Sequence, residues 1–179
     1  SFGLGAGSLN SCLHGYFPSL KQQVVELRPE VVNVAYKYFQ LPRGKRMVVH
    51  TMDANTYLQT EIGKKADILF SDIYSADGLD AVQLAPDFIL RCADRLKTDG
   101  WLVLNCWREH QSTDLLETLC ELFDDVRSCA TQSGNWILFA GKKASHKNAS
   151  QLKKDVRELS QRLGFSLNSH FARLQQHSD

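Results

Sequence analysis

The stretch FGLGAGS at residues 2–8 decides how the chain is interpreted, because it places a glycine at every second position ahead of an apolar, helix-like run at 9–17. Alternating glycines let the main chain turn sharply and let a ligand approach it without meeting a Cβ atom. In an α/β sheet, a loop of this kind between a strand and a helix marks a nucleoside pocket. Because a short glycine pattern is also typical of a plain tight turn, the pocket needs support from the rest of the chain.

The spacing of the glycines distinguishes two kinds of nucleoside site. A dinucleotide fingerprint has the pattern G-x-G-x-x-G, whereas here the third glycine comes early, at Gly7, and Ser8 follows it. The pattern G-x-G-x-G is more typical of S-adenosylmethionine-type sites. Since such a loop must hang from a strand and only Ser1 and Phe2 precede it, we expect a truncated first strand and a natural chain that extends upstream.

Size and composition indicate a single globular domain. The chain has 179 residues, of which 43% are hydrophobic and 23% charged, and these are ordinary globular values. Its five cysteines are odd in number and contain no C-x-x-C pair, and its histidines show no metal-ligand spacing, so we expect neither disulfides nor a metal. A reducing cytoplasm is the expected location. No apolar run approaches the roughly 20 residues that cross a bilayer, so we expect no membrane association.

The charge is distributed unevenly along the chain. Residues 142–179 hold eight Lys or Arg and three acids, a net +5, which leaves 13 basic and 17 acidic residues, a net −4, in the remainder. From residue 142 to residue 162, where seven of the eight basic residues lie, no Phe, Tyr or Trp interleaves with them, as single-strand binding requires, so nucleic acid is not an expected partner. We predict a nucleoside-binding domain at 1–143 and a basic helical tail at 144–179. Whether the protein forms a homodimer is left open by the sequence.

Hydrophobic periodicity predicts alternating strands and helices. Short apolar runs typical of buried parallel strands lie at 22–27, 46–51, 67–73 and 101–107. Helices are predicted at 29–39, 81–96, 113–123 and 151–163, with a turn at Asp99-Gly100 and a short docking helix in the last residues.

Two further strands near the carboxyl end predict a hairpin. Residues 126–130 and 136–142 flank the turn Ser133-Gly134-Asn135, so the two strands are antiparallel. The expected fold is therefore α/β and Rossmann-like: a doubly wound, seven-stranded, mostly parallel sheet with helices on both faces and an antiparallel hairpin at one edge.

The carboxyl ends of the predicted strands select the candidate binding residues, because ligands of doubly wound sheets bind there. Glu26 lies 19 residues beyond Gly7, close to the spacing of about 20 at which an acid binds ribose hydroxyls. Because Val24 and Val25 bury this strand, we expect the Glu26 carboxylate at the rim of the sheet, either on a ribose or simply solvated.

Asp53 follows the next strand and precedes a helix that opens at Ala54. Its carboxylate is suited to accept from the amine of adenine while the first free N–H groups of the helix meet the ring edge. Asp is also a common helix N-cap, and both roles are compatible.

Asp72 ends an otherwise apolar strand and is the candidate catalytic residue. We expect it to be partly buried beside a bound sulfonium, where a carboxylate can hold or deprotonate an incoming amine. The alternative is a hydrogen bond to the loop at 75–78. Tyr74 either walls the pocket or packs in the core.

With these positions assembled, the chain resembles the spermidine synthase family of polyamine aminopropyltransferases and, more broadly, the class I S-adenosylmethionine-dependent methyltransferase fold. The likeness is carried by GLGAGS, VVELRPEVVNVA, MDANTYL, DILFSDIY and LKTDGWLVLNCW, over residues 2 to about 143. The resemblance implies that Glu26 binds the ribose, Asp53 the adenine, and that Asp72 handles the attacking amine. The implied cofactor-binding residues are Gly3, Leu4, Gly5, Gly7, Glu26, Leu27, Asp53, Ala54, Asp72 and Tyr74.

The chain departs from the family pattern at several positions. The family usually shows D-x-x-D-P-x-G-P around its catalytic acid, but residues 72–78 read DIYSADG, so the second acid is absent or displaced to Asp77. Arg28 stands where a second acid often follows the ribose binder, Asn105 stands where Gln is common, and the family's amino-terminal β domain is not in this sequence. Cofactor binding is therefore better supported than polyamine specificity.

The function that the resemblance implies is transfer of an aminopropyl group from S-adenosylmethionine or its decarboxylated form to a small-molecule amine. Two alternatives stay open: an S-adenosylmethionine-dependent methyltransferase on the same scaffold, and a non-catalytic nucleoside-binding module.

Overall fold

The computed structural model of the chain describes residues 1–60, 64–75 and 78–178. Its α-helices are α1 (Ser8–Tyr16), α2 (Pro29–Tyr38), α3 (Ala54–Gln59), α4 (Pro86–Asp94), α5 (Thr113–Leu122), α6 (Ala149–Leu163) and α7 (Asn168–Phe171). Its strands are β1 (Gln22–Glu26), β2 (Met47–Thr51), β3 (Ala66–Ser71), β4 (Tyr74–Ser75), β5 (Gly78–Leu79), β6 (Leu96–Trp107), β7 (Asp125–Ala130), β8 (Asn135–Gly141) and β9 (Leu174–Gln176). Asp77, the expected site of a displaced second acid, lies outside the described residues.

The first strands are parallel, as predicted. β1 pairs with β2 in a register that sets Glu26 opposite Thr51. Phe2 forms isolated parallel bridges to both Val25 and Ser71, so the residue just ahead of the glycine loop lies between the ends of β1 and β3. β4 and β5 form a short antiparallel pair after β3. The described residues thus form two two-stranded pairs and a five-stranded sheet rather than one assigned sheet of seven strands.

The predicted hairpin is present, but its expected place at the edge is wrong. The strand order is β3-β6-β8-β7-β9, so the reversed strand β8 lies between β6 and β7 and is antiparallel to both. β9 then pairs antiparallel with β7 and covers it. The sequence did not indicate β9, because its residues, Leu174 to Gln176, are mostly polar and follow the short helix α7.

Two local predictions in the middle of the chain are also wrong. Asp99 and Gly100 belong to β6 rather than to a turn, and a Cβ atom on Gly100 would lie only 3.1 Å from the carbonyl oxygen of Ala66. This glycine therefore serves close packing of the main chain. The helix predicted at 81–96 is divided into a 3-10 turn at Ala81–Leu84 and α4, because Pro86 lacks an N–H group and occupies the first turn of a new helix.

The chain divides into two compact units, which we call unit 1 (Ser1–Lys65 and Leu69–Arg95) and unit 2 (Ala66–Ile68 and Leu96–Asp179). The basic tail lies in unit 2, and the predicted domain boundary at residue 143 stays a prediction. A buried cluster in unit 1 consists of Leu4, Val24, Ala35, Leu41 and Met47. Full burial of an aliphatic side chain of this size contributes about 1.5–3 kcal/mol, so Leu4 fixes the glycine loop to the core.

Unit 2 is built on the antiparallel strands around β8. The alternating buried side chains of these strands form its core, among them Leu102, Leu104, Val126 and Leu138. No helix in the described part of the chain is long and apolar enough to cross a membrane.

Candidate functional site

The glycine loop is pressed between the ends of two strands of unit 1. The Gly3 N–H donates to the Val25 carbonyl at 2.9 Å. Gly3 has φ +80°, and a Cβ atom there would overlap the carbonyl oxygen of Asp72. Only glycine fits this position without displacing the main chain, because both the left-handed conformation and the close approach exclude a side chain. The loop and the candidate catalytic residue are therefore in direct contact.

Gly5 faces open space. It has φ +52°, it is exposed, and an added Cβ atom would meet nothing within 4 Å. The next glycine, Gly7, is the N-cap of α1 and is also left-handed, with φ 78°. The loop therefore presents main chain without side-chain cover just ahead of the free N–H groups of a helix, which is what an approaching ligand requires.

Glu26 holds the glycine loop through a hydrogen bond to its main chain. Its Oε2 accepts a hydrogen bond from the Leu4 N–H at 2.9 Å, and its Oε1 accepts one from the Arg28 N–H at 3.1 Å. The Arg28 Nε lies 3.8 Å from Oε1. Glu26 is only 6% exposed, so the alternative of a solvated side chain at the strand end is wrong. A buried carboxylate needs compensating donors, and the main-chain N–H groups of Leu4 and Arg28 supply them.

Asp53 is a helix N-cap, as one of its two predicted roles required. Its Oδ1 accepts from the Thr56 N–H at 2.8 Å and from the Thr56 hydroxyl at 3.1 Å. The carboxylate is exposed at the start of α3. The preceding residue, Met52, donates its N–H to the Glu26 carbonyl at 3.0 Å, which ties the ends of β1 and β2 together.

Asp72 follows β3 directly and is tied to the glycine loop through its main chain. Its N–H donates to the Phe2 carbonyl at 2.9 Å. Asp72 is exposed, and its partial burial beside a bound sulfonium stays a prediction. Tyr74, two residues further on, is half-buried in β4, where it pairs with Leu79.

Unit 1 therefore brings together the acids that the sequence selected. Glu26 ends β1, Asp53 lies two residues beyond β2, and Asp72 lies one residue beyond β3. β1 and β2 are parallel neighbours, and Phe2 bridges β1 to the end of β3. Because the carboxyl ends of parallel strands share one edge, the three residues and the glycine loop occupy the position where α/β folds bind ligands.

One polar residue at this edge was missed by the sequence analysis. Gln83 is fully buried, and its amide bonds to Ser71 and Ile73 on either side of Asp72. The pattern at 81–96 predicts an ordinary amphipathic helix, in which Gln83 has no special role. A long polar side chain among apolar neighbours in VQLAPDFIL was the available signal.

The other reactive side chains behave as structural groups. Burial raises the pKa of the Cys106 thiol to about 12 and raises the pKa of Cys92 above its ordinary range, so both stay protonated at neutral pH and are poor nucleophiles. Within the described residues, no three His, Cys, Asp or Glu side chains are grouped so that they could hold a metal ion. In unit 2, Asn105 accepts a hydrogen bond from the amide of Asn135 at 2.8 Å.

Known proteins of two kinds are similar to the chain. It is 28% identical over 174 residues to the eEF1A lysine and N-terminal methyltransferase of Xenopus laevis, covering 90% of this chain and 25% of that protein. It is 25% identical over 177 residues to the polyamine aminopropyltransferase of Neisseria meningitidis, covering 96% of this chain and 67% of that protein. The chain thus spans a quarter of the first relative and two thirds of the second. No family model matches it.

Solved structures of both kinds share the fold. Human methyltransferase-like protein 13, solved in complex with SAH, superposes with a TM-score of 0.81 at 24% identity, over 91% of this chain and 80% of that one. A probable spermidine synthase from Corynebacterium glutamicum gives 0.74 at 21% identity, over 99% of this chain and 64% of that one. The predicted resemblance is confirmed as a likeness: the chain is similar in sequence to polyamine aminopropyltransferases and to methyltransferases, and it shares the fold of these solved structures.

Proposed function

We propose that this chain binds an S-adenosyl sulfonium donor in unit 1 and transfers an alkyl group from it to an amine. The observation that carries the proposal is the contact between the glycine loop, the buried Glu26 and the exposed Asp72. The named relatives are transferases of two kinds, and a solved neighbour is in complex with SAH, which supports a donor of this class.

The residues at the strand ends fit such a donor. Glu26 has two oxygens with about four acceptor positions, so the two main-chain bonds leave acceptor capacity for ribose hydroxyls. Asp53 uses Oδ1 for its N-cap, which leaves Oδ2 for the adenine amine, beside the N–H of Ala54. Leu27 is 63% exposed next to Glu26 and offers apolar surface to a flat ring. The main chain at Gly5 has open space beside it, so a donor can contact it without meeting a side chain.

Asp72 is the residue proposed to act on the acceptor. A bound donor would supply an electrophilic carbon beside a positively charged sulfur; as the nitrogen–carbon bond forms, the carbon–sulfur bond would break and sulfur would keep its electron pair as a neutral thioether. The Asp72 carboxylate is suited to accept a hydrogen bond from the N–H group of an amine, which orients the nitrogen lone pair. It can then take the proton that the nitrogen gives up. Such a general base contributes about 10²- to 10⁴-fold to turnover.

The electrostatics at the start of α1 favour S-adenosylmethionine over its decarboxylated form, and therefore favour transfer of a methyl group. S-adenosylmethionine carries a carboxylate that its decarboxylated form lacks, and the free N–H groups at the start of α1 favour an anion by about 0.3–1 kcal/mol. Residues 3–8 contain no acidic side chain of their own, and the carboxylate in contact with them, that of Glu26, is already bonded to the Leu4 and Arg28 N–H groups and lies close to the Arg28 guanidinium. We therefore propose S-adenosylmethionine as the donor and a small-molecule amine as the acceptor, in a cytoplasmic protein.

Aminopropyl transfer is the second candidate. The relative from Neisseria meningitidis named polyamine aminopropyltransferase matches 96% of this chain, and Asp72 lies where the resemblance implies the acid that handles the amine.

We also propose that the strands form one seven-stranded sheet, in which the residues around Phe2 take the place of the first strand between β1 and β3.

The test is turnover with each donor over a panel of amines, read by mass spectrometry of the product. The panel contains diamines, polyamines, and peptides with a free amino terminus or lysine. We expect product with one added methyl group from S-adenosylmethionine; an added aminopropyl group from the decarboxylated form would instead support the second candidate. Binding of either donor without product from any amine would support a non-catalytic nucleoside-binding module.

The variant Asp72→Asn tests the role of the carboxylate, with the exposed Asp124→Asn as the matched control. We expect Asp72→Asn to lose about 10²- to 10⁴-fold in turnover while it still binds the donor, because an amide cannot take the proton. The control should keep the wild-type rate. Full turnover in Asp72→Asn would overturn the assignment.

A further inference from the structure

Gln83 has no exposed surface and lies in the 3-10 turn Ala81–Leu84 of unit 1. Its Oε1 accepts a hydrogen bond from the Ser71 hydroxyl at 2.8 Å and a longer one from the Ile73 N–H at 3.4 Å. Its Nε2 donates to the Ile73 carbonyl at 3.3 Å. One side chain therefore bonds to the residues on both sides of Asp72.

These bonds satisfy the main chain just beyond the end of β3. The amide takes both main-chain polar groups of Ile73, as a neighbouring strand would, and it takes the hydroxyl of Ser71, which is itself buried. A buried polar group left without a partner costs about 1–3 kcal/mol. A buried network in which each member is satisfied fixes a single geometry.

Asp72 is held on its other flank by the glycine loop. Its N–H donates to the Phe2 carbonyl, and its carbonyl packs against Gly3. The main chain of Asp72 is thus fixed from both directions, while its side chain is exposed. Such fixing matters for catalysis, because a displacement of about 1 Å can cost about 100-fold in rate.

The turn that carries Gln83 is itself hydrogen-bonded to Ile73. The Asp80 N–H donates to the Ile73 carbonyl at 3.1 Å, and the Asp80 carboxylate accepts from the Val82 N–H at 3.0 Å, which caps the turn. The Gln83 N–H donates to the Asp80 carbonyl at 3.2 Å. Gln83 is therefore part of a closed ring of bonds that begins and ends at Ile73.

We infer that Gln83 is a positioning residue for Asp72: it sets the direction in which the strand end presents the carboxylate to the acceptor amine. Its effect on turnover rests on the proposed function, whereas its effect on the main chain of residues 72 and 73 does not.

A double-mutant cycle with Gln83→Met and Asp72→Asn tests the inference through activity. Met has a similar length and no hydrogen-bonding amide. We expect Gln83→Met to lower kcat by about 10- to 100-fold with the donor KM within about twofold, and to add nothing in the Asp72→Asn background, because residues that act as a unit are non-additive. An equal loss in both backgrounds would show general damage and overturn the inference, as would a wild-type kcat in Gln83→Met.

Amide hydrogen exchange supplies the readout that needs no activity. We expect the Ile73 amide to exchange faster in Gln83→Met than in the wild type, and to be unaffected in Gln161→Met, a control at an exposed glutamine of α6. Ser71→Ala, which removes one bond to Gln83, should give a smaller increase and serves if Gln83→Met does not fold. Unchanged exchange in both variants would overturn the inference. A wild type without turnover, but with faster exchange in Gln83→Met, would instead count against the proposed function alone.

Discussion

The carboxylate of Glu26 accepts the main-chain N–H of Leu4 at 2.9 Å, which joins the end of β1 to the middle of the glycine loop. Glu26 therefore holds the loop in shape before any ligand arrives, and Leu4 at the same time packs into the core of unit 1. An acid that the sequence suggested as a ribose ligand or as a solvated side chain thus has a structural role. The two roles are separable by measuring stability and binding independently.

The variant Glu26→Gln should be less stable than the wild type. The substitution keeps the size of the side chain but removes the charge from a buried acceptor of two main-chain N–H groups. Hydrogen bonds to charged groups contribute about 1.5–3 kcal/mol, so we expect a loss of this order in the free energy of unfolding in urea. Glu121→Gln, at an exposed position on α5, should stay within about 0.5 kcal/mol. Equal stabilities of the two variants would contradict the structural role.

Gly3→Ala and Gly5→Ala form a matched pair. Both glycines have left-handed φ angles, so alanine costs about 1–2 kcal/mol at either position. Only at Gly3 would the new Cβ atom overlap the Asp72 carbonyl, whereas at Gly5 it would enter open space. We expect thermal unfolding to show the larger destabilisation for Gly3→Ala. A smaller loss at Gly3 than at Gly5 would mean that the loop does not press against the end of β3.

Acid should loosen the carboxyl-terminal strand of unit 2. The Nε2 atom of His177 lies 2.8 Å from the Ser128 hydroxyl, and the main-chain N–H of His177 donates to the Val126 carbonyl. Burial lowers the pKa of the imidazole from its ordinary value of 6.5. Because the pKa is lower in the folded than in the unfolded chain, this contribution to stability is present above about pH 6.5 and is lost as the pH falls. Urea unfolding at pH 7.5 and 5.5 should show a smaller difference in His177→Gln than in the wild type. An identical pH dependence in both proteins would remove His177 as its cause.

Two of the five thiols should react in the native protein. Cys12 and Cys120 are exposed, whereas Cys92, Cys106 and Cys129 are buried. Burial raises the pKa of Cys106 to about 12, which leaves almost no thiolate at pH 8. Titration with a thiol reagent at pH 8 should therefore count two groups before denaturation and five after it. A third fast-reacting thiol in the folded protein would show that the core of one unit opens readily.

Much of the fold could be predicted from local patterns. The β-branched run before Glu26 and the proline at the start of α2 predicted both elements to within about one residue, because burial and a missing N–H group act locally. The position of β8 between β6 and β7 could not be predicted, because strand order depends on contacts between distant segments. β9 gave no local signal, since its pairing with β7 depends on main-chain hydrogen bonds rather than on apolar side chains.

The candidate site could be predicted as a set of strand ends but not in its detailed contacts. The strand-end rule selected Glu26, Asp53 and Asp72, and all three lie at one edge of unit 1. The contact of Glu26 with the loop could not be predicted, because it depends on main-chain N–H groups that only the folded chain brings to the carboxylate. Gln83 was not found, because only the folded chain shows that the turn at Ala81–Leu84 returns to the end of β3.

Calorimetric titration of unliganded protein with S-adenosylhomocysteine tests the central claim most directly. The account predicts one site per chain in the wild type, an affinity weaker by about tenfold or more in Glu26→Gln, a loss of about 1.4 kcal/mol, and wild-type affinity in Glu121→Gln. Absence of binding by the wild type, or equal affinity in both variants, would contradict the assignment of the glycine loop and Glu26 to an S-adenosyl ligand.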